Sequence, residues 1–266
     1  MRAPRRAGQQ GDRAMSAALE TQPGQVPGRV IAIASARGRG QDLAVDHLAA
    51  GTGAGGRRVV LMDARSRARE CGCATRLKAG TDLGRCWRYG AGTGGDTAAR
   101  GLSPAAGPVG DRRPGGLSGA ALEAATALPR RLAAGWQEVG GGYRRGGGGT
   151  TAPLAARADL LLLVATEEPT SLTDAYAVLK LHAQDAPGGD ARLVVNLAAS
   201  AASGQATHAT LDAAARRFLG RALPLAGIIR RDSKVPDAIR HQTPLLTRHP
   251  GSAAARDVAA LARALG

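Results

Sequence analysis

Four residues in the loop after the first apolar run have the chemistry of an anion site. Residues 30–35 (VIAIAS) are apolar and largely β-branched or small, and Gly38 and Gly40 then alternate with Arg37 and Arg39. Glycine N–H groups at a strand-to-helix turn can bind an anion, and the guanidinium groups supply positive charge. The loop therefore predicts a phosphate-binding site. The other interpretation is a plain turn between a strand and a helix.

One carboxylate follows the second apolar run. Residues 58–63 (RVVLMD) have the pattern of a buried strand that ends in Asp63. Functional side chains of a parallel sheet stand at the carboxyl ends of its strands, where a carboxylate can bind a metal ion. An acid that caps a helix or a turn is the other interpretation, and both stay open.

The cysteines and histidines have no spacing that predicts a metal site. Cys71, Cys73 and Cys86 form no paired CxxC and have no His at ligand spacing. A zinc site needs four well-placed N or S ligands, or three and a water molecule. The histidines that lie scattered among helices and loops are assigned no role: His182, His241 and His249.

The loop with Arg37 to Gly40 and the acid Asp63 need a sheet to position them. The second half of the chain has the sequence pattern of such a sheet. Apolar runs at 159–166, 192–197 and 223–229 alternate with helical stretches at 171–184, 207–219 and 252–265. Strands that alternate with helices predict an α/β fold with a doubly wound, mostly parallel sheet in a single domain. We expect its ligand at the carboxyl ends of the strands.

The stretch from residue 65 to residue 151 breaks this pattern. It is rich in Gly, Ala and Arg and contains one plausible helix near residues 120–132. The sequence GGGYRRGGGGTTAPLAAR before residue 158 predicts neither a strand nor an acid. An insertion of this size inside a compact sheet is unusual. The chain is therefore divided into a disordered basic tail (1–28) and one domain (29–266) with a degenerate segment at 65–151.

The net charge of the chain suggests an anionic partner, but the positions of the charged residues do not support one. A net charge of +15 is typical of proteins that bind nucleic acid or an anionic membrane surface. Much of the excess is Arg in residues 1–29 and 65–145, outside the regular elements. Aromatic residues make up 2% of the chain, which disfavours a platform for stacking bases. Nucleic acid is therefore the weaker alternative.

Three segments of the second half resemble one family. Residues 167–181 (EEPTSLTDAYAVLKL), which include Glu168, Pro169, Thr170 and Asp174, resemble a proline-containing segment of the flagellar MinD-like ATPases called FlhG or YlxH. A Pro before Thr-Ser is also an ordinary start of a helix. The segments LVVN (193–196) and GIIRRDSKVPDAIRHQTPL (227–245) resemble the family's two base-contacting segments. The resemblance implies a MinD/ParA-type P-loop fold, covers about 29–63 and 158–266, and implies nucleotide-binding roles for Asn196 and Asp232.

The catalytic motifs of that family are damaged here. The family loop GKGGVGKT binds phosphates and magnesium, and the resemblance places Arg37, Gly38, Arg39 and Gly40 in its position, with Arg37 in place of the first Lys. The segment is shorter than the motif and has neither its second Lys nor its Thr. Of the family's Asp-x-Asp, Asp63 remains and Arg65 replaces the second acid. The resemblance implies ATP and Mg²⁺ as cofactors, whereas these changes predict impaired ATP hydrolysis, and we assign no catalytic or metal-binding residue.

The resemblance also implies partners and a location. It predicts a regulator of flagellar number or placement that binds flagellar assembly proteins, forms a homodimer around ATP and is cytoplasmic, with peripheral contact at the inner face of the membrane as an alternative. The C-terminal stretch 252–265 has Val258, Leu261 and Leu265 along one side and no Trp or Phe, which favours packing onto the domain. The alternatives are a ParA-like partitioning ATPase that contacts DNA and a non-catalytic pseudo-ATPase that binds partners.

Two explanations of the damage stay open. The first is a pseudo-ATPase that keeps its fold and partner surface. The second is a shifted reading frame: residues 40–42 written GGG CAA GAC, read one base later, encode Gly-Lys-Thr. Residues 35–38 written TCG GCA AGG GGx encode Gly-Lys-Gly when read two bases later, so the two repairs need different frames. Shifted GC-rich DNA typically encodes stretches rich in Gly, Ala and Arg, as in residues 65–151.

Overall fold

The computed structural model describes residues 28–35, 59–63, 85–89, 97–98, 127, 129–130, 133, 138–144, 155–241 and 243–265. Its sheet has eight strands within these ranges, in the order β4-β3-β2-β5-β1-β6-β7-β8. The strands are β1 (Arg29–Ser35), β2 (Val59–Asp63), β3 (Arg85–Tyr89), β4 (Thr97–Ala98), β5 (Glu138–Arg144), β6 (Leu160–Ala165), β7 (Ala191–Ala198) and β8 (Leu225–Arg230). The helices of the second half are α1 (Pro169–Asp185), α2 (Ala201–Leu219), α3 (Lys234–Arg240), α4 (Leu245–Arg248) and α5 (Ala253–Leu265).

The predicted α/β class with a mostly parallel sheet is confirmed. The six strands β2, β5, β1, β6, β7 and β8 pair in parallel, and β3 and β4 extend the sheet antiparallel at one edge. Central parallel strands are buried on both faces and have continuous apolar sequences. Strand β6, with the sequence LLLLVA, is buried at every position. The predicted tail lies outside the described residues as far as residue 27.

The prediction of no strand in the Gly-rich segment before residue 158 is wrong. Strand β5 has the sequence EVGGGYR and pairs in parallel with both β1 and β2. Glycine has little intrinsic preference for strands, so the local pattern gives no signal. Main-chain pairing on both sides forms the strand instead. Residues 127, 129, 130 and 133 are helical, close to the predicted helix.

The core has two layers, one on each face of the sheet. Alternate residues of β6 point to opposite faces, as in any strand. Leu160, Leu162 and Val164 pack with α5, and Leu161, Leu163 and Ala165 pack with α1 and α2. Burying one such side chain contributes about 1.5–3 kcal/mol. The two clusters together fix the sheet between helices, which is the doubly wound arrangement.

The C-terminal helix packs onto the domain, as predicted. Val258, Leu261 and Leu265 of α5 are 2–5% exposed and lie in the same cluster as Ile31 and Ile229. Glycine at position 227 of β8 brings the backbone close to this helix, because a Cβ atom there would lie 3.2 Å from Leu261 Cδ1. Within the described residues, the structure contains no helix with the length and apolar character of a membrane span.

The starts and ends of α1 and α2 follow local chemistry. Pro169 is the first residue of α1, where its missing N–H costs nothing. At the start of α2, the Ser200 hydroxyl accepts from Ser203 N, and the Ser203 hydroxyl accepts from Ser200 N. Gly220 ends α2 with φ +65°, a conformation that glycine adopts without strain. These signals place both helix starts at the carboxyl edge of the sheet.

Candidate functional site

The strand order creates a crevice at the carboxyl ends of the central strands. Strand β1 lies between β5 and β6. The chain runs from β1 to β2 on one side, returns through β5, and then crosses β1 to reach β6 on the other side. In doubly wound sheets, ligands bind where the strand order reverses in this way. The candidate site is therefore the carboxyl edge of the sheet around β1, together with the adjoining ends of β7 and β8.

The predicted residues of the first half are only partly within the described structure. Arg37, Gly38, Arg39 and Gly40 lie outside the described residues. The strand before them ends at Ser35, which is 5% exposed. Asp63 is the last residue of β2 and pairs with Gly142 of β5. The backbone thus places Asp63 at the predicted edge of the sheet, and its role in binding stays a prediction.

Asn196 is buried at the end of β7 in an unusual backbone setting. Its side chain is 2% exposed, and its Oδ1 accepts a hydrogen bond from Leu197 N at 2.9 Å. Leu197 has φ +56°, a left-handed conformation that costs a non-glycine residue roughly 1–2 kcal/mol. The pairing with β8 shifts register here, from Asn196 with Ile229 to Ala198 with Arg230. Such local strain is typical of ligand-binding edges.

Asp232 stands at the same edge, but its carboxylate is committed to the protein. Oδ1 accepts from Lys234 N at 2.9 Å, and Oδ2 accepts from Ala254 N at 3.0 Å. The hydrogen bond from Lys234 N, followed by that from Ala254 N, holds the pKa of Asp232 below its ordinary value against the opposing effect of burial. The structure therefore places Asp232 and Asn196 at the same edge of the sheet. It shows the Asp232 side chain as an organiser of its loop, and a nucleotide contact through this residue stays a prediction.

Glu167 is a residue of this edge that sequence reasoning did not select. Its Oε1 accepts from Ala199 N at 3.1 Å, across the gap between β6 and α2. A hydrogen bond from the Ser203 hydroxyl is the main reason that the pKa of Glu167 lies below its ordinary value. The side chains of Glu168, Pro169 and Thr170 are exposed on the adjoining surface, and Asp174 is half-buried. An acid directly after a buried strand was the signal that could have identified Glu167.

A second residue missed by sequence reasoning is Asp257 of α5. Its carboxylate accepts hydrogen bonds from the backbone and the guanidinium of Arg230, the last residue of β8. The two residues are 27 positions apart, so no local pattern links them. The loop from Arg230 to Asp232 is therefore held from the C-terminal helix.

The residue types of the site fit one part of a nucleotide better than the others. The buried Asn196 and the loop at 230–232 lie at one edge of the sheet, and a base contact there stays a prediction from the family resemblance. Residues 36–42 (ARGRGQD) have no Lys and no Ser or Thr, the groups that neutralise phosphates and bind Mg²⁺ in a P-loop. Among the described residues, no group of three His, Cys, Asp or Glu could hold a metal ion.

Comparisons with known proteins agree with the fold and relate part of the sequence to known families. A family profile described as "Cellulose biosynthesis protein BcsQ" matches residues 143–265. The antiactivator FleN of Pseudomonas aeruginosa is 37% identical over 106 residues, which are 40% of this chain and 38% of FleN. The matched part thus spans less than two fifths of that relative.

Solved structures share the fold over most of the chain. The ParA family ATPase from Chlorobium tepidum has a TM-score of 0.66 at 15% identity, covering 90% of this chain and 99% of that one. The septum site-determining protein MinD complexed with Mg-ADP, from Pyrococcus horikoshii, has a TM-score of 0.60 at 15% identity, covering 89% and 95%. At these identities the likeness shows the fold alone. The structures that share it include one with a bound nucleotide and metal ion.

Proposed function

We propose that this chain is a MinD/ParA-type P-loop ATPase that acts as an ATP-binding regulator of flagellar number or placement, with impaired ATP hydrolysis. One observation carries the nucleotide part of this proposal. Asn196 and the loop at 230–232 lie side by side at the carboxyl edge of a sheet with a switch in strand order. The resemblance of residues 167–181 to the flagellar MinD-like ATPases supports the flagellar part.

The residues of this chain support binding of a nucleotide better than its hydrolysis. Asn196, with the loop after β8, would contact the base, and the glycines Gly38 and Gly40 would turn N–H groups toward the phosphates with Arg37 and Arg39 supplying charge. Bound ATP and Mg²⁺ supply the phosphoanhydride bond and its counter-charge. With Arg65 at the position of the family's second acid, the Asp-x-Asp motif lacks the carboxylate that would serve as a general base. Nucleotide binding without turnover is the state that these residues support.

The partners and location belong to the same proposal. Flagellar assembly proteins are the proposed partners, and the proposed homodimer depends on ATP bridging two subunits. We propose a cytoplasmic location. Peripheral contact at the inner face of the membrane is a weaker proposal, because the apolar side of α5 is already buried against the sheet.

A non-catalytic partner-binding module is the second candidate function. Both core layers are formed, with residues of β1 and of the second half, whereas the residues typical of hydrolysis are missing from the sequence of the first half. Such a module would bind the same partners without ATP. Contact with DNA is the weaker third candidate, because much of the positive charge lies in residues 1–29 and 65–145.

Equilibrium binding and phosphate release test the proposal on the purified chain. We expect ATP to bind and phosphate release to stay at the level of the buffer. The variant Asn196→Asp keeps an oxygen that can accept from Leu197 N but loses the amide NH₂, and we expect it to weaken ATP binding about tenfold, as the loss of one buried hydrogen bond does. Binding of tripolyphosphate, which has no base, should not change in this variant.

Three other outcomes would change the proposal. Rapid phosphate release would contradict impaired hydrolysis. Partner binding that persists without any ATP binding would select the non-catalytic module. Unchanged flagellar counts per cell after deletion of the gene would remove the flagellar role.

A further inference from the structure

We infer that Asp257 of α5 is a positioning residue that fixes the loop at 230–232 against Asn196, and so sets the place and selectivity of the base contact. The inference rests on the proposed nucleotide binding. The C-terminal helix α5 then positions the loop after β8 and also covers the core, since the loop is attached to that helix.

The contact between Asp257 and Arg230 has three hydrogen bonds. Asp257 Oδ2 accepts from Arg230 N at 3.0 Å and from Arg230 Nε at 2.8 Å, and Oδ1 accepts from Arg230 Nη2 at 2.7 Å. Paired contacts between a guanidinium and a carboxylate fix direction as well as distance. The Asp257 side chain is 15% exposed, so water screens this contact less than an open surface pair. One carboxylate therefore fixes both the backbone and the side chain of the residue that ends β8.

The next two residues are fixed as well. Arg231 N donates to Ala198 O at 2.8 Å, which attaches the loop to the end of β7. Asp232 accepts from Lys234 N and from Ala254 N, the second of which belongs to the first turn of α5. The loop thus has two attachments to α5, at Arg230 and at Asp232, and one to β7. Loosening the attachment at Arg230 would free the loop that lies beside the end of β7.

Position distinguishes Asp257 from other aspartates with the same chemistry. Asp159 accepts from Val30 N and from Arg130, and Asp212 accepts from Leu223 N at 2.7 Å and from Arg216 Nε at 2.8 Å. Both of those contacts stand at the amino edge of the sheet, before β1 or before β8. The contact of Asp257 stands at the carboxyl edge, where the ligand is expected. Because the three aspartates make similar hydrogen bonds at opposite edges of the sheet, a comparison of their variants separates an effect on loop position from an effect on stability.

Asp212 supplies a matched control for the experiment. Its side chain is 17% exposed, against 15% for Asp257, and it also bonds one backbone N–H and one Arg. The variants Asp257→Asn and Asp212→Asn each remove one charge and weaken one such contact. We therefore expect similar losses of thermal stability from both.

Amide hydrogen exchange without nucleotide is the first measurement. In Asp257→Asn the amides of residues 230–232 should exchange about tenfold faster than in the natural chain, while the amides of β7 stay protected. In Asp212→Asn the loop at 230–232 should exchange as in the natural chain. Asp257→Glu, which keeps the charge, should restore part of the protection.

Binding of ATP, GTP and tripolyphosphate is the second measurement. Asp257→Asn should reduce the preference for ATP over GTP about tenfold and leave tripolyphosphate binding unchanged, because a loop that moves no longer discriminates between bases. Asp212→Asn should keep the preference. If Asp257→Asn matches Asp212→Asn in both exchange and base preference, the inference is overturned. If the natural chain binds neither ATP nor tripolyphosphate, the proposed nucleotide function fails. Faster exchange at 230–232 in Asp257→Asn would then show only a structural role for Asp257, and the inference would be overturned as well.

Discussion

The imidazole of His182, near the end of α1, is 5% exposed, and neither ring nitrogen has a hydrogen-bond partner among the described residues. A Cβ atom added at Gly189 would lie 3.0 Å from His182 Nε2, so the ring is packed against the turn that follows α1. Burial lowers the pKa of His182, the positive charge of Arg221 lowers it further, and Asp185 opposes the shift. The folded chain therefore holds this side chain neutral.

The burial of His182 predicts a loss of stability in acid. An unfolded His gains a proton below about pH 6.5, whereas the folded His182 resists protonation. The unfolded state then binds more protons, so stability is complete above about pH 6.5 and is lost as the pH falls below it, by at most ~1.4 kcal/mol per pH unit. Replacing the ring in His182→Leu should reduce this loss. Urea unfolding at about pH 5.5 and pH 7.5 measures the difference.

A second histidine provides the control for that experiment. His208 Nε2 lies 2.8 Å from the carbonyl oxygen of Leu223, so this ring has a partner. The variant His208→Leu retains His182 and should keep the acid loss that it causes. An unchanged pH dependence in His182→Leu would show that another group is responsible.

Single residues were predictable where a pattern along the chain gave their place. Asp63 and Asn196 follow apolar runs, and the structure puts both at the carboxyl ends of strands. No pattern along the chain predicts the burial of His182, because the ring packs against the turn at Gly189, outside its own helix. Asp257 was missed for the same reason, since its partner lies on β8. Contacts between elements have no signature in a single sequence.

Among the elements, β8 lies between two helices that approach it closely. Gly204 of α2 is buried, and a Cβ atom there would lie 2.6 Å from Ile228 Cγ2 and 2.9 Å from Ile228 Cδ1. The absence of a side chain at 204 allows α2 to pack this close to the strand. This contact helps to set the distance between the start of α2 and the candidate site.

We expect Gly204→Ala to destabilise the chain by about 1–2 kcal/mol, because overpacking in a core costs roughly 1–3 kcal/mol. In an open helix the same change would stabilise by about 1 kcal/mol. The sign of the change in unfolding free energy, measured in urea, therefore reports the contact with Ile228. Gly251→Ala is the control, since a Cβ atom there meets nothing within 4 Å. A stabilised Gly204→Ala would mean that α2 and β8 are further apart than the structure shows.

Elements with a clear period were predictable and the others were not. The apolar run at 159–166 became β6 (Leu160–Ala165), and the helical stretch at 252–265 became α5 (Ala253–Leu265). Strand β5 was not predictable, because its Gly-Gly-Gly centre has no side chains to form a pattern and its two partners, β1 and β2, create it. Tertiary pairing overrode local preference there.

At the scale of the whole molecule, the damage to the first half has a test at the level of codons. The one-base offset that turns residues 40–42 into Gly-Lys-Thr also acts on Arg65 and Ser66. Written CGA TCx, these codons read one base later begin with GAT, which encodes the missing acid. The same offset repairs both motifs only if the frame returns between them, because residues 58–63 match the family in the present frame.

The reading-frame hypothesis predicts CAA for Gln41, GAC for Asp42 and CGA for Arg65 in the coding sequence. Sequencing of a fresh clone across residues 35–151 measures this, and an inserted or missing base should appear between the motifs. A CAG codon at Gln41 would give no Lys in the shifted frame and would exclude the hypothesis. The chain would then be a pseudo-ATPase whose first half has diverged.

The strand order also constrains how the chain is made. Strand β1 is synthesised early, yet it pairs on one side with β5 and on the other with β6, and the N–H of Val30 bonds to Asp159, 129 positions later. Until those strands leave the ribosome, VIAIAS is an unpaired apolar segment with both edges open to other chains. Long-range pairing of this kind also closes slowly. We therefore expect β1 of the nascent chain to stay open to aggregation until synthesis has reached β6.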